Sequence, residues 1–318
     1  MDNQRGNNLL SWLFIVLLIL AATAGSAFAA AYTWDGGGAN NNWSTTGNWS
    51  PDGTPGASDT VAFDGTSTKN SIIDASFAGS VAGISINAGY VGEITQSRSL
   101  TIGSSHFSQA AGTFTGGSAA IDLNGGFTLS SGTFTSTSGN LNVSGAWTHT
   151  AGGTFNHNNG TVISDGGNQT FDFDSTLSGG NSGTFYNFQR KASSTATTLT
   201  ISSGDTLVVQ NNLTLNDGLI STGSINVSGN VTITSNYDGG TSPLNFLGSG
   251  TQTFDLTGAT GTYNGNITIG DATHSPTVNL ASDCILDAAG QDLTITNGSI
   301  NIGAYELEVK DDLTVSGG

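Results

Sequence analysis

The chain has 318 residues and a formal charge of −17, from 23 acidic and 6 basic side chains, yet only 9% of its residues are charged and 47 are glycine. So acidic a chain lacks the basic face that nucleic-acid binding needs. Four prolines and no strict Gly-X-Y period exclude collagen, and regularly recurring Val, Ile, Leu and Phe speak against disorder.

Residues 1–29 have the layout of a secretory signal peptide. Arg5 lies in a polar start, an apolar run extends from Leu9 to about Ala22, and Ala27-Phe28-Ala29 forms a small-x-small cleavage site. The run is too short to span a bilayer as a helix. The mature chain is therefore expected outside the cell, secreted or at the cell surface, with no integral membrane segment. Its single cysteine, Cys284, excludes an intramolecular disulfide and sits in an apolar run as a small core residue.

Residues 30–65 hold Trp34, Trp43 and Trp49, three of the four tryptophans beyond the signal, with Pro51, Pro55, Asp52, Asp59 and Asp64. A solenoid must cover its first coil, and this segment is read as an aromatic cap. Two sharper readings stand beside it. The tryptophans are candidates for stacking on sugar rings, and Asp52, Asp59 and Asp64 are candidates for calcium, which gathers several oxygens at once.

From residue 66 to 318 a phrase recurs. Gly-Thr-Phe stands at Gly112, Gly132, Gly153 and Gly183, the first two steps being 20 and 21 residues. Ile121-Asp122-Leu123 returns as Leu141-Asn142-Val143, each followed by a Gly-containing turn. Period-two alternation puts apolar residues on one strand face and Thr, Asn or Asp on the other. A unit of about 20 residues cannot bury its own apolar face, but stacked units can. The expected fold is all-β: a parallel β-helix, right-handed as parallel crossovers usually are. It would have about 12 coils over roughly 60 Å, at about 4.8 Å per coil. A β-sandwich is the competing architecture. A longer echo, Gln169-Thr170-Phe171-Asp172 to Gln252-Thr253-Phe254-Asp255, suggests a duplicated block of about four turns. The chain runs out in mid-coil at Gly318, which reads as a truncated end or as an open one able to stack head to tail on another copy.

The Trp-Asp-Gly-Gly-Gly opening at Trp34, the Pro-Gly-x-x-Asp-x-Val-x-Phe stretch from Pro55 and the Gly-Thr-Phe body resemble secreted bacterial β-helix surface proteins of the autotransporter-passenger and filamentous-haemagglutinin kinds. That resemblance implies a non-enzymatic adhesive or matrix-building role, with itself or a surface or polysaccharide as partner. It brings no cofactor.

The alternative is a polysaccharide-acting enzyme. Asp172, Asp174 and, if the long repeat stacks, Asp255 are its catalytic candidates, because paired carboxylates serve glycoside hydrolysis as acid and base. Solvated carboxylates on an outer face are the plainer reading. Beyond the signal the only bases are Lys69, Arg98, Arg190, Lys191 and Lys310. Among the histidines (His106, His149, His157, His274), His149 and His157 are close enough in sequence to meet, yet no set has zinc spacing. The Asn-x-Ser/Thr triplets, such as Asn142-Val143-Ser144, follow from the strand-turn phrase and are not read as glycosylation sites.

Overall fold

A computed structural model of the chain describes residues 29–174, 183–194, 196–257 and 263–317. The signal-peptide reading of residues 1–29 falls almost wholly outside these ranges. Among the described residues there is no α-helix, and no helix is long and apolar enough to cross a membrane. The chain winds as a parallel β-solenoid of about 12 turns with roughly 21 residues per turn.

The register shows how the repeat becomes a coil. Leu100 pairs with Ile121, Ile121 with Leu141 and Leu141 with Val162, each one turn further on. These residues belong to a first face that continues through Asn187–Lys191, Val231–Ile233, Thr251–Asp255 and Thr277–Leu280. A second face runs through Gly83–Ile86, Trp147–His149, Gln169–Phe173 and Thr198–Ile201. A third holds Thr206–Val209, Ser224–Val227, Leu244–Phe246, Ile267–Ile269, Leu293–Ile295 and Leu313–Val315. Some turns are wider, the step from Val162 to Phe188 being 26 residues.

Side chains alternate as a half-buried strand requires. Inward residues stack on their equivalents one coil away. Phe114 and Phe134 lie 4.8 Å apart at 8°, and Phe134 and Phe155 5.9 Å apart at 8°. Phe107, Phe127 and Trp147 form a parallel column beside them, at 5.4 and 4.1 Å. The interior is a single continuous apolar cluster from Trp34 to Ile295. Outward residues also align, as in Ser85, Ser108, Thr128 and Thr148, and in Asn226, Asn245, Thr268, Thr294 and Thr314.

The N-terminal segment closes its end of the column. Ala31–Trp34 pairs in parallel with Thr60–Phe63 on one edge, while Trp49–Ser50 adds antiparallel on the other. The strand reversal uses up the edge that another parallel strand would occupy. Trp43 packs edge-on against Trp49 at 5.2 Å and against Phe77 at 5.2 Å. Lys69 Nζ donates to the carbonyls of Gly36, Gly38 and Asn40, and the Asp74 carboxylate accepts from the Ser44 amide and hydroxyl. These bonds bind cap to coil.

The long echo corresponds to no stacked block. Gln169–Phe173 lies on the second face and Thr251–Asp255 on the first. The coils between them vary in length, so an 83-residue separation does not return the chain to the same side.

Candidate functional site

Where the second face ends, three successive coils turn a corner. The inward column there passes through Leu129, His149 and Phe173. The outward column of hydroxyls, Thr128 then Thr148, changes to acid at Asp172. Asp174 follows two residues later. From the next coil the turn Ser202-Ser203-Gly204-Asp205 folds back, and Asp205 Oδ2 accepts the Phe173 amide at 2.7 Å. The result is a cleft of about 350 Å³ lined by His149, Thr150, Asp172, Asp174, Asp205 and the two serines.

Its electrostatics are one-sided, for neither lysine nor arginine lines it. Burial raises the Asp205 carboxyl above its ordinary range, and the charges of Asp172 and Asp174 add to this against the Phe173 hydrogen bond. Asp172 is exposed, whereas Asp205 is buried. Asp174 Oδ2 accepts the Ala151 amide at 3.3 Å. His149 is only 1% exposed, and Nε2 sits 3.0 Å from the Gly153 carbonyl oxygen. A carbonyl only accepts, so Nε2 carries the proton and Nδ1 keeps a lone pair. Burial holds this imidazole below its ordinary pKa, opposed by the Gly153 bond and by Asp174.

Asp172 and Asp174 thus share a site, but Asp255 does not join them. It stands on the first face opposite Thr232 and accepts from the Thr257 hydroxyl. Asp205 takes the place expected of it. The coil register points to this residue: Phe171 pairs with Ile201, and the turn after Ile201 must face the turn after Phe171. An irregular coil length hides that in the sequence.

The tryptophans do not serve as sugar platforms. Trp34, Trp43 and Trp49 are each 0% exposed, so no ring face reaches a ligand. Their indole N–H groups donate to Lys69 O, Ser71 Oγ and Trp43 O. The proposed calcium carboxylates are occupied locally as well. Asp59 accepts the amides of Ala30 and Gly56, both at 2.8 Å, Asp64 accepts that of Thr66, and Asp52 lies exposed on a separate turn. Among the described residues, the acidic group whose oxygens lie within 4.8 Å of one another is Asp292, Asp311 and Asp312, from adjacent coils. Asp311 already accepts the Gly290 amide at 2.7 Å.

The histidines stay apart in their bonding. His157 Nε2 meets Gln210 Oε1 at 2.9 Å, His274 Nδ1 meets Asp271 at 2.9 Å, and His106 Nδ1 accepts the Gly126 amide. Cys284 is buried, and burial pushes its thiol up to about 12, which makes it a poor nucleophile. Of the bases, Arg98 and Arg190 donate to backbone carbonyls, Arg190 while wholly buried, and Lys310 pairs with Asp287 at 3.3 Å.

No protein-family model matches the chain, and neither a curated protein nor a solved structure does.

Proposed function

We propose that this chain is an exported structural or adhesive β-solenoid of the cell surface or extracellular matrix, which presents aligned columns of hydroxyl and amide side chains to a polysaccharide or surface. The observation that carries this reading is the outer register. Thr113, Thr133 and Thr154 stand one above another, as do Asn226, Asn245, Thr268, Thr294 and Thr314. Such rows repeat at about 4.8 Å and offer many weak, equivalent hydrogen bonds, the basis of multivalent adhesion. The outward charge is sparse and acidic, which keeps rods soluble. The bases are engaged within the fold: Lys69, Arg98 and Arg190 clamp carbonyls, so few cations remain for polyuronate chemistry.

End-to-end assembly belongs to this reading with one restriction. A second copy cannot add a parallel strand beyond Ala31–Trp34, because Trp49–Ser50 holds that edge.

The second reading, a polysaccharide-acting enzyme, draws on the cleft that joins Asp172, Asp174, Asp205 and His149. One experiment separates the two. Purified protein is incubated with a panel of neutral and acidic polysaccharides, and both co-sedimentation and release of new reducing ends or unsaturated products are measured. The structural reading predicts sedimentation without release. Release that disappears in Asp172→Asn would replace it with the enzyme, and no sedimentation with any polymer would remove the adhesive part.

A further inference from the structure

We propose that the pocket at His157, Tyr186 and Gln210 seats one neutral pyranose ring of a polysaccharide, with the sugar's C–H face on the aromatic pair and its hydroxyls on the surrounding amides. This deepens the polysaccharide-partner reading and rests on it for the choice of polymer.

The pocket lies over an interruption in the sheet. Gly153–Asn156 pairs with Phe127–Thr135, and Thr184–Phe185 pairs with Thr206–Val209. Among the described residues no ladder joins Gly153–Asn156 to Thr184–Phe185. Their phenylalanines still meet in the core, Phe155 and Phe185 lying edge-on at 5.6 Å. Over them opens a pocket of about 170 Å³, lined by Phe155, Asn156, His157, Asn158, Thr184 and Gln210. Asn158 and Asn159 turn the chain at its rim with φ of +50° and +55°, a left-handed conformation that asparagine enters more readily than most residues.

Exposed aromatic surface is scarce elsewhere on the rod. Among the described residues every phenylalanine and tryptophan is buried, as are Tyr90, Tyr237 and Tyr263. Tyr32 and Tyr305 reach solvent only near the two ends of the coil stack. Tyr186 stands in the middle, half-buried, with its ring 5.6 Å from that of His157 and tilted by 31°. The face of an aromatic ring is electron-rich, and the C–H face of a pyranose complements it.

The hydrogen bonds assign donors and acceptors around this pair. The Asn159 amide donates to His157 Nδ1 at 3.0 Å, so Nδ1 holds no proton and Nε2 carries it. Nε2 therefore donates, and Gln210 Oε1 accepts it at 2.9 Å. That orients the Gln210 amide and leaves its Nε2 as a donor for a ligand. Asn156 Nδ2 donates to Thr135 Oγ1 at 3.4 Å and Asn158 Nδ2 to the Ser136 carbonyl at 3.0 Å, which leaves Oδ1 of each as an acceptor. A hydroxyl donates and accepts, so a sugar matches this mixture. No Asp, Glu, Lys or Arg lines the pocket, and a charged sugar finds no counter-ion there. Because the amides are held in place beforehand, binding spends less on ordering them. The volume is below that of sites for drug-sized ligands, which suits one ring of a polymer that crosses the rim.

The test is electrophoresis of the full chain through native gels that contain dextran, hydroxyethyl cellulose or galactomannan, with alginate as the acidic comparison. At least one neutral polymer is expected to retard the wild type more than alginate does. Tyr186→Ala and Gln210→Ala are each expected to weaken that retardation about tenfold in apparent affinity, whereas Tyr305→Ala leaves it unchanged. Melting temperatures show that each variant is folded, and Tyr186→Phe, which keeps the ring, is expected to retain binding if Tyr186→Ala unfolds. No retardation by any neutral polymer overturns the proposal. So does retardation by alginate as strong as by the neutral polymers, or binding that survives in both Tyr186→Ala and Gln210→Ala. Survival in both variants would strike the pocket and leave the adhesive reading standing, while loss of co-sedimentation with every polymer would strike the adhesive reading itself.

Discussion

Buried glutamines at the corners stitch neighbouring coils together. Gln252 Nε2 donates to the carbonyls of Val227 and Gly229 one coil away, and its Oε1 accepts the Gly248 amide at 2.9 Å. Gln169 does the same with Val143 and Gly145, and Gln291 with Tyr263 and Gly265. A corner breaks the strand ladder and leaves carbonyls facing inward, where an unpaired group costs about 1–3 kcal/mol. Gln252→Leu keeps the apolar volume and removes all three bonds, so it is expected to lower stability by at least about 2 kcal/mol in urea unfolding. His149 gives a pH effect. Its folded pKa lies below the ordinary histidine value because burial disfavours the charged form, so the unfolded chain takes up the proton first. Stability contributed by the neutral ring is whole above about pH 6.5 and is lost as the pH falls below it. The charge of Asp174 and the Gly153 hydrogen bond limit the loss. His149→Phe matches the Phe173 stacked above it in register, and is expected to flatten the fall in melting temperature between neutral and mildly acidic buffer. An unchanged slope would mean another group titrates there.

The strand–corner–strand unit explains why Gly-Thr-Phe recurs. In Phe127–Thr135 the first residues pair with Trp147–His149 and the last with Gly153–Asn156, so one strand crosses two faces. Gly132 makes the bend at φ +78°, and a Cβ there would lie 2.5 Å from the Gly112 carbonyl oxygen. Thr133 then points out and Phe134 in. Gly132→Ala is expected to cost more than about 2 kcal/mol, from backbone strain and the close approach. Gly167→Ala, where nothing lies within 4 Å of a Cβ, should change stability by less than about 0.5 kcal/mol. Equal effects in urea melts would sink the corner account. This unit was legible in the sequence because alternation, turn glycine and a constant step all agree over three coils. The site was only half legible. Asp172 and Asp174 announce themselves on one strand, but Asp205 reaches them from a coil of unequal length, and Asp255 lands on another face for the same reason. The aromatic segment invited a sugar-platform reading because sequence does not show which rings a neighbouring strand covers.

At the scale of the whole molecule, the solenoid has one closed end and a repetitive side. Reversal of Trp49–Ser50 and the plug of Trp34, Trp43, Trp49, Phe63 and Phe77 end the apolar column where the coils begin. In the proposed reading, function is carried by what the coils repeat outward, and at Asp172 the acidic cleft interrupts one column of hydroxyls. Both the adhesive reading and the cleft depend on one claim: successive coils are parallel and in register, so that Thr128, Thr148 and Asp172 stand in one row. Engineered cysteines test it most directly, in a Cys284→Ala background. Neighbours in the row are about 4.8 Å apart, within the span of about 4.4–6.8 Å that a disulfide bridges. Residues two coils apart are about 9.6 Å away and beyond it. Under mild oxidation, Thr128→Cys with Thr148→Cys, and Thr148→Cys with Asp172→Cys, are predicted to cross-link within one chain. Thr128→Cys with Asp172→Cys is predicted not to. Failure of both neighbouring pairs, or cross-linking of the distant pair as fast as the near ones, would contradict the coil register.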